Sequence, residues 1–421
     1  MKTVTSPYVK EQYYYFKHKS GLPVYVYPKE GYQGTYAIFG TDCGSVDDCF
    51  KVSDETDFTQ VPAGIAHFLE HKLFECEDGD AFSRYAKTGA SANAYTSFDK
   101  TCYLFTCSEN LEQSLEILLD FVTAPYFTPE TVQKEQGIIG QEIRMYDDNP
   151  DWQVFFGLLK ALYVKNPIKN DIAGTVESIA DITADVLYRC YEAFYNLNNM
   201  ALCVVGNVTP EFVEGMADRM LKSSKDVTVE CFFEDEPLES AEKRVEKVMS
   251  VGLPLFQMGY KLPMKASFLD TKSIVASKVF LEMLVGESSA LYRSLLDEKL
   301  INAQFGYELM DGRGFAALIM GGESNDPDAV FARINSAVEA FKSQDINTEE
   351  FERARKTIYG HMVSGFNSIE RIGGAVMENH FGGKTVFDSV EEAVKLTPAD
   401  IKAFLDCLKL NAGAVSIIRG A

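Results

Sequence analysis

Residues 67–71 read His67-Phe68-Leu69-Glu70-His71, and this stretch decides how the rest of the chain is interpreted. Two of the five histidines in the chain stand four residues apart, with a carboxylate directly before the second. The order H-x-x-E-H is the inverse of the commoner H-E-x-x-H signature of zinc peptidases. Such a short motif also arises by accident, so the neighbouring sequence has to decide between a metal site and chance.

The segment around the motif, residues 62–75, has the pattern of an amphipathic helix that opens at Pro62. Its apolar residues recur at three- and four-residue intervals: Ile65, Phe68, Leu69 and Leu73. Because residues four apart share one face of a helix, both imidazoles can reach one ion, and Glu70 lies beside them. The alternative is a pair of surface or core-edge histidines on an ordinary amphipathic helix.

A catalytic zinc site normally takes three protein ligands, so a third has to come from elsewhere in the chain. Segment 129–146 also has a helical pattern, and its Glu135 and Glu142 are seven residues apart. Seven residues are two helical turns, which bring both side chains to one face. The alternative is an ordinary solvated acidic face, because carboxylates are common in this chain.

With these residues the chain resembles the M16 metallopeptidases, the pitrilysin-like or inverzincin family. Segments 64–75, 89–104 and 134–150 look most like a bacterial subgroup of short members, about as long as these 421 residues, that includes the metal-binding subunits of paired peptidases. The resemblance implies that Glu70 is the general base and that Glu135 is an auxiliary catalytic carboxylate. The residues that it assigns to one zinc ion per chain are His67, His71 and Glu142.

Composition and charge narrow the classes of function. A formal charge of −22 argues against nucleic acid as a partner, and it would attract basic peptides only if the charge lines a cavity. No apolar run approaches the length of a membrane span, and the polar N-terminus does not look like a signal peptide. Nine cysteines without a C-x-x-C pair predict free thiols in a reducing cytoplasm. Cys43 with Cys49, or Cys102 with Cys107, are alternative soft metal ligands, although their spacing matches no usual zinc pattern.

The second half of the sequence echoes the first. Val279-Phe280-Leu281-Glu282-Met283 repeats the motif with both imidazoles replaced by apolar side chains, and Ala354 and His361 stand where the glutamate pair would be. We therefore predict a duplication in which residues 1–235 form the metal-binding catalytic domain and residues 236–421 form a related domain without the metal site. The acidic, proline-containing run 230–242 suits a linker.

Helical patterns alternate with strand-like runs such as 103–107 and 315–320, without the regular spacing of βαβ units. This alternation predicts an α+β fold with two homologous domains, each an antiparallel (mixed) sheet with helices packed on one face.

Segment 89–98 is the candidate for substrate binding. Small side chains at a sheet edge let a peptide backbone approach and pair as an added strand. By the resemblance, Asn93 would bond to the substrate backbone, and Ala92, Ala94 and Tyr95 would line the cleft. The alternative is an ordinary tight turn that leads into a core strand.

The chain departs from the family in its second half. Many members carry an Arg and, seven residues later, a Tyr that contact substrate, but here the two positions are Leu296 and Ala303. Donors aimed at developing charge contribute on the order of 10²–10³ in rate. The resemblance therefore implies a homodimer, or a heterodimer with a related M16-type subunit that supplies the Arg and Tyr.

The sequence thus predicts a zinc-dependent endopeptidase, or the catalytic subunit of one, that hydrolyses short or unfolded peptides bound as an added strand in an enclosed chamber. One alternative is a non-catalytic peptide-binding or structural partner subunit of an M16-type complex. Another is a metal-dependent hydrolase that acts on a different bond. His18, His361 and His380 have no partner motif and are predicted to be structural or surface residues.

Overall fold

The computed structural model describes residues 1–53, 55–77, 79–223 and 227–420. Its strands are β1 (Lys2–Thr5), β2 (Gln12–Lys17), β3 (Pro23–Pro28), β4 (Thr35–Thr41), β5 (Cys49–Val52), β6 (Thr59–Gln60), β7 (Glu75–Cys76), β8 (Gly79–Asp80), β9 (Ser91–Thr96), β10 (Thr101–Cys107), β11 (Met200–Gly206), β12 (Val229–Cys231), β13 (Arg244–Met249), β14 (Leu255–Lys261), β15 (Gly306–Gly312), β16 (Phe315–Glu323) and β17 (Gly413–Gly420). Its helices are α1 (Ile65–Leu73), α2 (Ala81–Thr88), α3 (Leu111–Thr123), α4 (Pro129–Asp147), α5 (Pro150–Leu162), α6 (Val176–Ala180), α7 (Ala184–Phe194), α8 (Pro210–Met220), α9 (Thr271–Val285), α10 (Ala290–Asp297), α11 (Pro327–Ser343), α12 (Thr348–Gly365), α13 (Ile369–Phe381), α14 (Asp388–Lys395) and α15 (Pro398–Cys407).

The main sheet of the first half has the strand order β1-β2-β3-β11-β4-β10-β9. Neighbouring strands run antiparallel except β3 and β11, which are parallel. Strands β4 and β11 are buried along their whole length, as expected for central strands rich in apolar side chains. Strand β9 lies at one edge, so one side of its backbone has no neighbouring strand in this sheet.

The sheet of the second half follows the same plan, with the order β13-β17-β14-β16-β15. Again one pair, β13 and β17, is parallel and the other pairs are antiparallel. Five strands correspond in the two sheets: β3-β11-β4-β10-β9 in the first and β13-β17-β14-β16-β15 in the second. In each set the strand that comes last in the sequence, β11 or β17, lies between the two strands that come first. The predicted fold class, two similar α+β domains with mixed, largely antiparallel sheets, is therefore confirmed.

The chain forms two compact units that each include a segment from the other half of the sequence. Unit 1 comprises residues 1–143, 171–232 and 365–387. Unit 2 comprises residues 144–170, 233–364 and 388–421. Helix α13 therefore belongs to unit 1 and helix α5 to unit 2. The predicted domain boundary at residue 235 stays a prediction.

Helix α13 packs on the face of the first sheet opposite to α1 and α3. A Cβ on Gly373 of α13 would lie 2.5 Å from the ring of Tyr36, on the face of β4 that also carries Ile38. On the other face, Tyr103 of β10 contacts the rings of Phe74 and Phe121. The sheet is thus covered on one face by nearby helices and on the other by a helix from far along the chain. The fold class stands, but the prediction that helices pack on one face only is wrong for this sheet, because a distant segment covers the second face.

In unit 2, helix α5 takes the equivalent place. A Cβ on Gly259 of β14 would lie 3.3 and 3.4 Å from the side chains of Leu162 and Leu158 of α5. The neighbouring residues Met258 and Tyr260 point to the opposite face, into a core that also contains Val279 of α9. No helix among the described residues is both long enough and apolar enough to cross a bilayer.

Candidate metal centre

Helix α1 carries His67, Glu70 and His71 on one element, and it starts later than the sequence pattern predicts. It begins at Ile65 instead of Pro62, because Gly64 has a left-handed φ of 92°. A Cβ on Gly64 would lie 2.5 Å from the carbonyl oxygen of Ala173, so a larger residue could not adopt this turn without a shift in the backbone. Buried apolar residues then fix the rotation of the helix: Ile65, Phe68, Leu69 and Leu73.

Helix α4 carries the two predicted carboxylates. It spans Pro129–Asp147, almost as the sequence predicts, and Glu135 and Glu142 lie on one face. Glu135 is buried to 8% exposure, whereas Glu142 is half-buried. The predicted pair is therefore not a solvated surface in this structure.

Three of the predicted residues converge so closely that one ion could contact all of them. Ligand atoms of His67, His71 and Glu142 lie within 4.8 Å of one another. Glu142 Oε1 is 3.8 Å from His67 Nε2, and Glu142 Oε2 is 3.5 Å from His71 Nε2. Ligands bound tetrahedrally at about 2.0–2.1 Å from a zinc ion would stand roughly 3.3 Å apart. Two imidazoles and one carboxylate are also a donor set found in catalytic zinc sites, so these residues fit the ion.

The pKa of His67 keeps this imidazole neutral at neutral pH. Burial, together with the neighbouring His71, lowers its pKa from 6.5 to about 3. A neutral imidazole has a lone pair to give to a metal. The Nδ1 atom of His67 is buried and has no hydrogen-bond partner among the described residues.

His71 is held in place by a second carboxylate. Its Nδ1 lies 2.9 Å from Glu135 Oε1, which leaves Nε2 directed at Glu142. Burial alone would lower the pKa of His71, but the hydrogen bond to Glu135 and the charges of Glu135, Glu70 and Glu142 raise it. A carboxylate on the far nitrogen of a metal-binding imidazole fixes its tautomer and orientation.

Glu70 contacts the edge strand through a residue that the sequence did not predict to be part of the site. Thr96, the last residue of β9, donates its hydroxyl hydrogen to Glu70 Oε2 over 2.7 Å. Burial raises the pKa of Glu70, although the hydrogen bond from Thr96 opposes the shift. The alternation of β9, which places Thr96 on the same face as Ala94, is the one signal in the sequence that could have indicated it.

The edge strand divides the predicted substrate-binding residues between its two faces. Ala92 and Ala94 are half-buried on the face that carries Thr96 and α1, while Asn93 and Tyr95 alternate with them and are exposed. The side-chain oxygen of Asn93 accepts the backbone N–H of Ala94 over 2.9 Å. In this structure Asn93 therefore satisfies a donor of its own strand.

The remaining candidates lie away from this centre. Within the described ranges, the converging group contains no cysteine; Cys43, Cys102 and Cys107 are buried free thiols and Cys49 is a half-buried one. His18 is buried between Ser20 and Asp218, and His380 bonds to the hydroxyl of Tyr25. His361 is exposed on α12.

Two protein-family models match the chain. The model described as Insulinase (Peptidase family M16) matches residues 59–176, and the one described as Peptidase M16 inactive domain matches residues 181–358. Both motif histidines and both glutamates lie within the first match.

Relatives and solved structures agree with these matches over nearly the whole chain. An uncharacterized zinc protease of Bacillus subtilis (strain 168), YmfH, is 41% identical over 409 residues, covering 96% of this chain and 95% of the relative. A crystal structure described as an M16-like peptidase from Alicyclobacillus acidocaldarius is 31% identical, covers 100% of both chains and has a TM-score of 0.93. A protease structure from Helicobacter pylori, 21% identical with a TM-score of 0.83, covers 97% of this chain and 99% of that chain and shares the fold.

Proposed function

Because the chain belongs to the M16 peptidase family, we propose that it is a zinc-dependent endopeptidase, or the catalytic subunit of one, that acts on short or unfolded peptides. The observation that carries this proposal is the convergence of ligand atoms of His67, His71 and Glu142 within 4.8 Å of one another, beside an open sheet edge. Glu70 lies on the same helix as the two histidines. His67, His71 and Glu142 would hold one zinc ion per chain. When bound, zinc supplies a Lewis acid that polarises a carbonyl and lowers the pKa of water to about 7.

Glu70 is the proposed general base. Thr96 holds its Oε2, which leaves Oε1 to accept a proton from the attacking water and to pass it to the leaving amine. Its raised pKa suits this exchange, because a carboxylate whose pKa is closer to neutral is a stronger base. Glu135 contributes through His71, whose orientation it fixes, and is a positioning residue in this proposal.

The open side of β9 is the proposed binding edge for substrate. An extended peptide would pair with its backbone as an added strand, and recognition of the main chain would tolerate many sequences. Asn93 would have to release the N–H of Ala94 before that donor could bond to a substrate. Ala92 and Ala94, with small side chains on the α1 face, would leave room for the scissile bond, and Tyr95 would lie on the outer face.

A second subunit is part of the proposal. Leu296 lies in α10 and Ala303 in the loop before β15, where the family resemblance expects an Arg and a Tyr. A related M16-type chain that carries the Arg and Tyr would supply donors for the developing negative charge and would enclose the peptide in a chamber, whereas a second copy of this chain could only enclose it. The cytoplasm is the proposed location, because Cys43, Cys102 and Cys107 form no disulfide.

A non-catalytic partner subunit is the second candidate function. The observation that favours it is the absence of the Arg and Tyr at positions 296 and 303, together with the match of residues 181–358 to a domain described as inactive. Such a subunit would bind peptides on β9 without hydrolysing them.

The test is to measure zinc content and peptide cleavage for the purified chain and for Glu70→Gln, each with and without a related M16 subunit. We expect one zinc per chain in both proteins and cleavage by the unmodified chain alone, stronger with the partner. Cleavage that persists in Glu70→Gln would refute the assignment of the base. Full zinc occupancy without cleavage of any peptide in either assembly would favour the non-catalytic subunit, and hydrolysis of a different bond would indicate another hydrolase class.

A further inference from the structure

A cavity of about 870 Å³ opens beside the metal centre in unit 1. It lies between the end of α1, the start of α2, the edge strand β9 and the start of α4. Glu70, His71 and Glu135 line one side of it, and Asn93 and Ala94 of the edge strand line another. A side chain adjacent to the scissile bond of a peptide on β9 would therefore enter this cavity.

One wall of the cavity is aromatic. The rings of Phe74 and Phe82 stack with their centroids 4.3 Å apart and their planes 12° apart, and Tyr126 also lines the cavity. Phe74 is only 8% exposed and is supported from behind by Phe121, with which it stacks at 5.0 Å. Phe82 is 46% exposed, which leaves part of an aromatic surface open to the cavity.

The rest of the lining is predominantly acidic. Glu75 is neutralised by the buried ammonium of Lys72, and Asp80 uses Oδ1 to cap α2 at the N–H of Phe82. Glu77 and Glu130 are exposed carboxylates at the rim. Among the described residues that line the cavity, Lys134 is the only lysine, and the carboxylates outnumber it. The charge around the opening is therefore negative overall.

We propose that this cavity selects peptides that carry an arginine or lysine directly beside the scissile bond. The aliphatic stem would pack on the stacked rings, and the cationic head would lie over Phe82 and among Asp80, Glu77 and Glu130. An acidic side chain would be repelled from the same place. The position relative to a scissile bond rests on the proposed peptidase function, whereas the preference for a basic side chain rests on the cavity itself.

The test uses peptides that differ in one residue, scanned across the positions flanking the cleavage site: arginine, its neutral isostere citrulline, or glutamate. Binding is measured by fluorescence anisotropy on the zinc-loaded Glu70→Gln variant. The kcat/KM is measured on the unmodified chain together with a related M16 subunit. At one position adjacent to the scissile bond we expect arginine to be favoured over citrulline by roughly tenfold, with glutamate weaker still. The preference should shrink as salt is raised, because the rim carboxylates are exposed.

Variants of the lining provide the second measurement. Asp80→Asn keeps a helix-capping side chain, and together with Glu77→Gln and Glu130→Gln it should remove most of the preference for arginine over citrulline. Glu109→Gln, an exposed carboxylate outside the cavity, is the matched control and should leave the ratio unchanged.

The outcomes separate this proposal from the function on which it rests. Equal binding and cleavage of arginine and citrulline peptides would overturn the basic preference and leave the peptidase intact. Selective binding of the arginine peptide without any cleavage would overturn the peptidase and support the cavity. An unchanged preference in the triple variant would also overturn the proposal, because other residues would then be responsible.

Discussion

Helices α1 and α9 occupy matching positions in the two halves of the chain, and only one of them builds a candidate metal centre. Glu70 of α1 accepts a hydrogen bond from Thr96 of the edge strand, and Glu282 of α9 accepts one from Tyr307 of the corresponding edge strand β15. The glutamate and its bond to the edge strand therefore exist in both units. A buried glutamate on this helix is not by itself a mark of catalysis.

The two helices differ at the positions of the imidazoles. Val279 is 0% exposed and Met283 is 6% exposed, so both pack in the core of unit 2. On α12, Ala354 is buried where Glu135 would be. The comparison teaches that the histidines and the glutamate pair, which change together, distinguish the candidate centre from the structural helix.

The largest expected effect comes from replacing an imidazole. His71→Ala should weaken zinc binding by at least roughly a hundredfold and abolish peptide cleavage, because one of three protein ligands is lost. Zinc stoichiometry by metal analysis is the measurement. Met283→Ala is the matched variant in unit 2; it should cost about 2–5 kcal/mol of unfolding free energy through a core cavity and leave zinc content unchanged. Full zinc binding in His71→Ala would break the comparison.

A smaller effect is expected for the residue that orients His71. Glu135→Gln keeps the shape of the side chain but weakens the contact with His71 Nδ1, and should reduce zinc affinity or kcat/KM by about 10–100-fold. Titration with a competing chelator measures the affinity. Wild-type values for both quantities would show that His71 needs no support from Glu135.

The hydroxyl contacts to the two glutamates give the sharpest paired test. Thr96→Val removes a bond that lowers the pKa of Glu70, so the acid limb of the kcat/KM profile should move to higher pH. Tyr307→Phe removes the equivalent bond to Glu282 and should cost about 1–3 kcal/mol of stability without moving the profile. A shift in the profile of Tyr307→Phe would mean that unit 2 takes part in the chemistry.

Acid stability depends on buried histidines, and unit 1 contains four of the five histidines of the chain, including His380. Burial lowers the pKa of His380 from 6.5 to about 4. Below pH 6.5 the unfolded chain takes up a proton that the folded chain does not, so His380 costs stability as the pH falls from 6.5 to 4. His380→Gln should therefore lose less stability than the unmodified chain over this range, by at most roughly 3 kcal/mol. The free energy of unfolding is measured with a denaturant at several pH values between 6.5 and 4. An equal loss in the two proteins would refute the lowered pKa of His380.

The sequence predicted the parts of the molecule that depend on local pattern. The seven-residue spacing of Glu135 and Glu142 and the four-residue spacing of His67 and His71 place side chains on helix faces, and the structure brings three of these four to one point. The family and the α+β class are confirmed. The start of α1 was predicted too early, because the pattern around Pro62 does not reveal the left-handed turn at Gly64.

The features that the sequence did not predict depend on contacts between separate secondary-structure elements. Thr96 reaches Glu70 from the end of a strand, and the aromatic wall of the cavity joins Phe74 to Phe82 across the β7–β8 hairpin. The net charge of −22 does not show which carboxylates of the chain lie around the cavity. Amphipathic periodicity shows that α13 has an apolar face, but not that this face covers the sheet of the first half.

Helix α13 belongs to unit 1 although it lies late in the sequence, and this has a consequence for folding during synthesis. The face of the first sheet that Gly373 covers stays bare on the ribosome until residues 369–381 have been translated, long after β11 has been completed. A pause near residue 235 would prolong the exposure of this apolar face, and a chain that ends there would never cover it; an exposed apolar sheet is prone to aggregate or to bind chaperones. Translation speed through the second half thus becomes a determinant of how much of the first half reaches its native state.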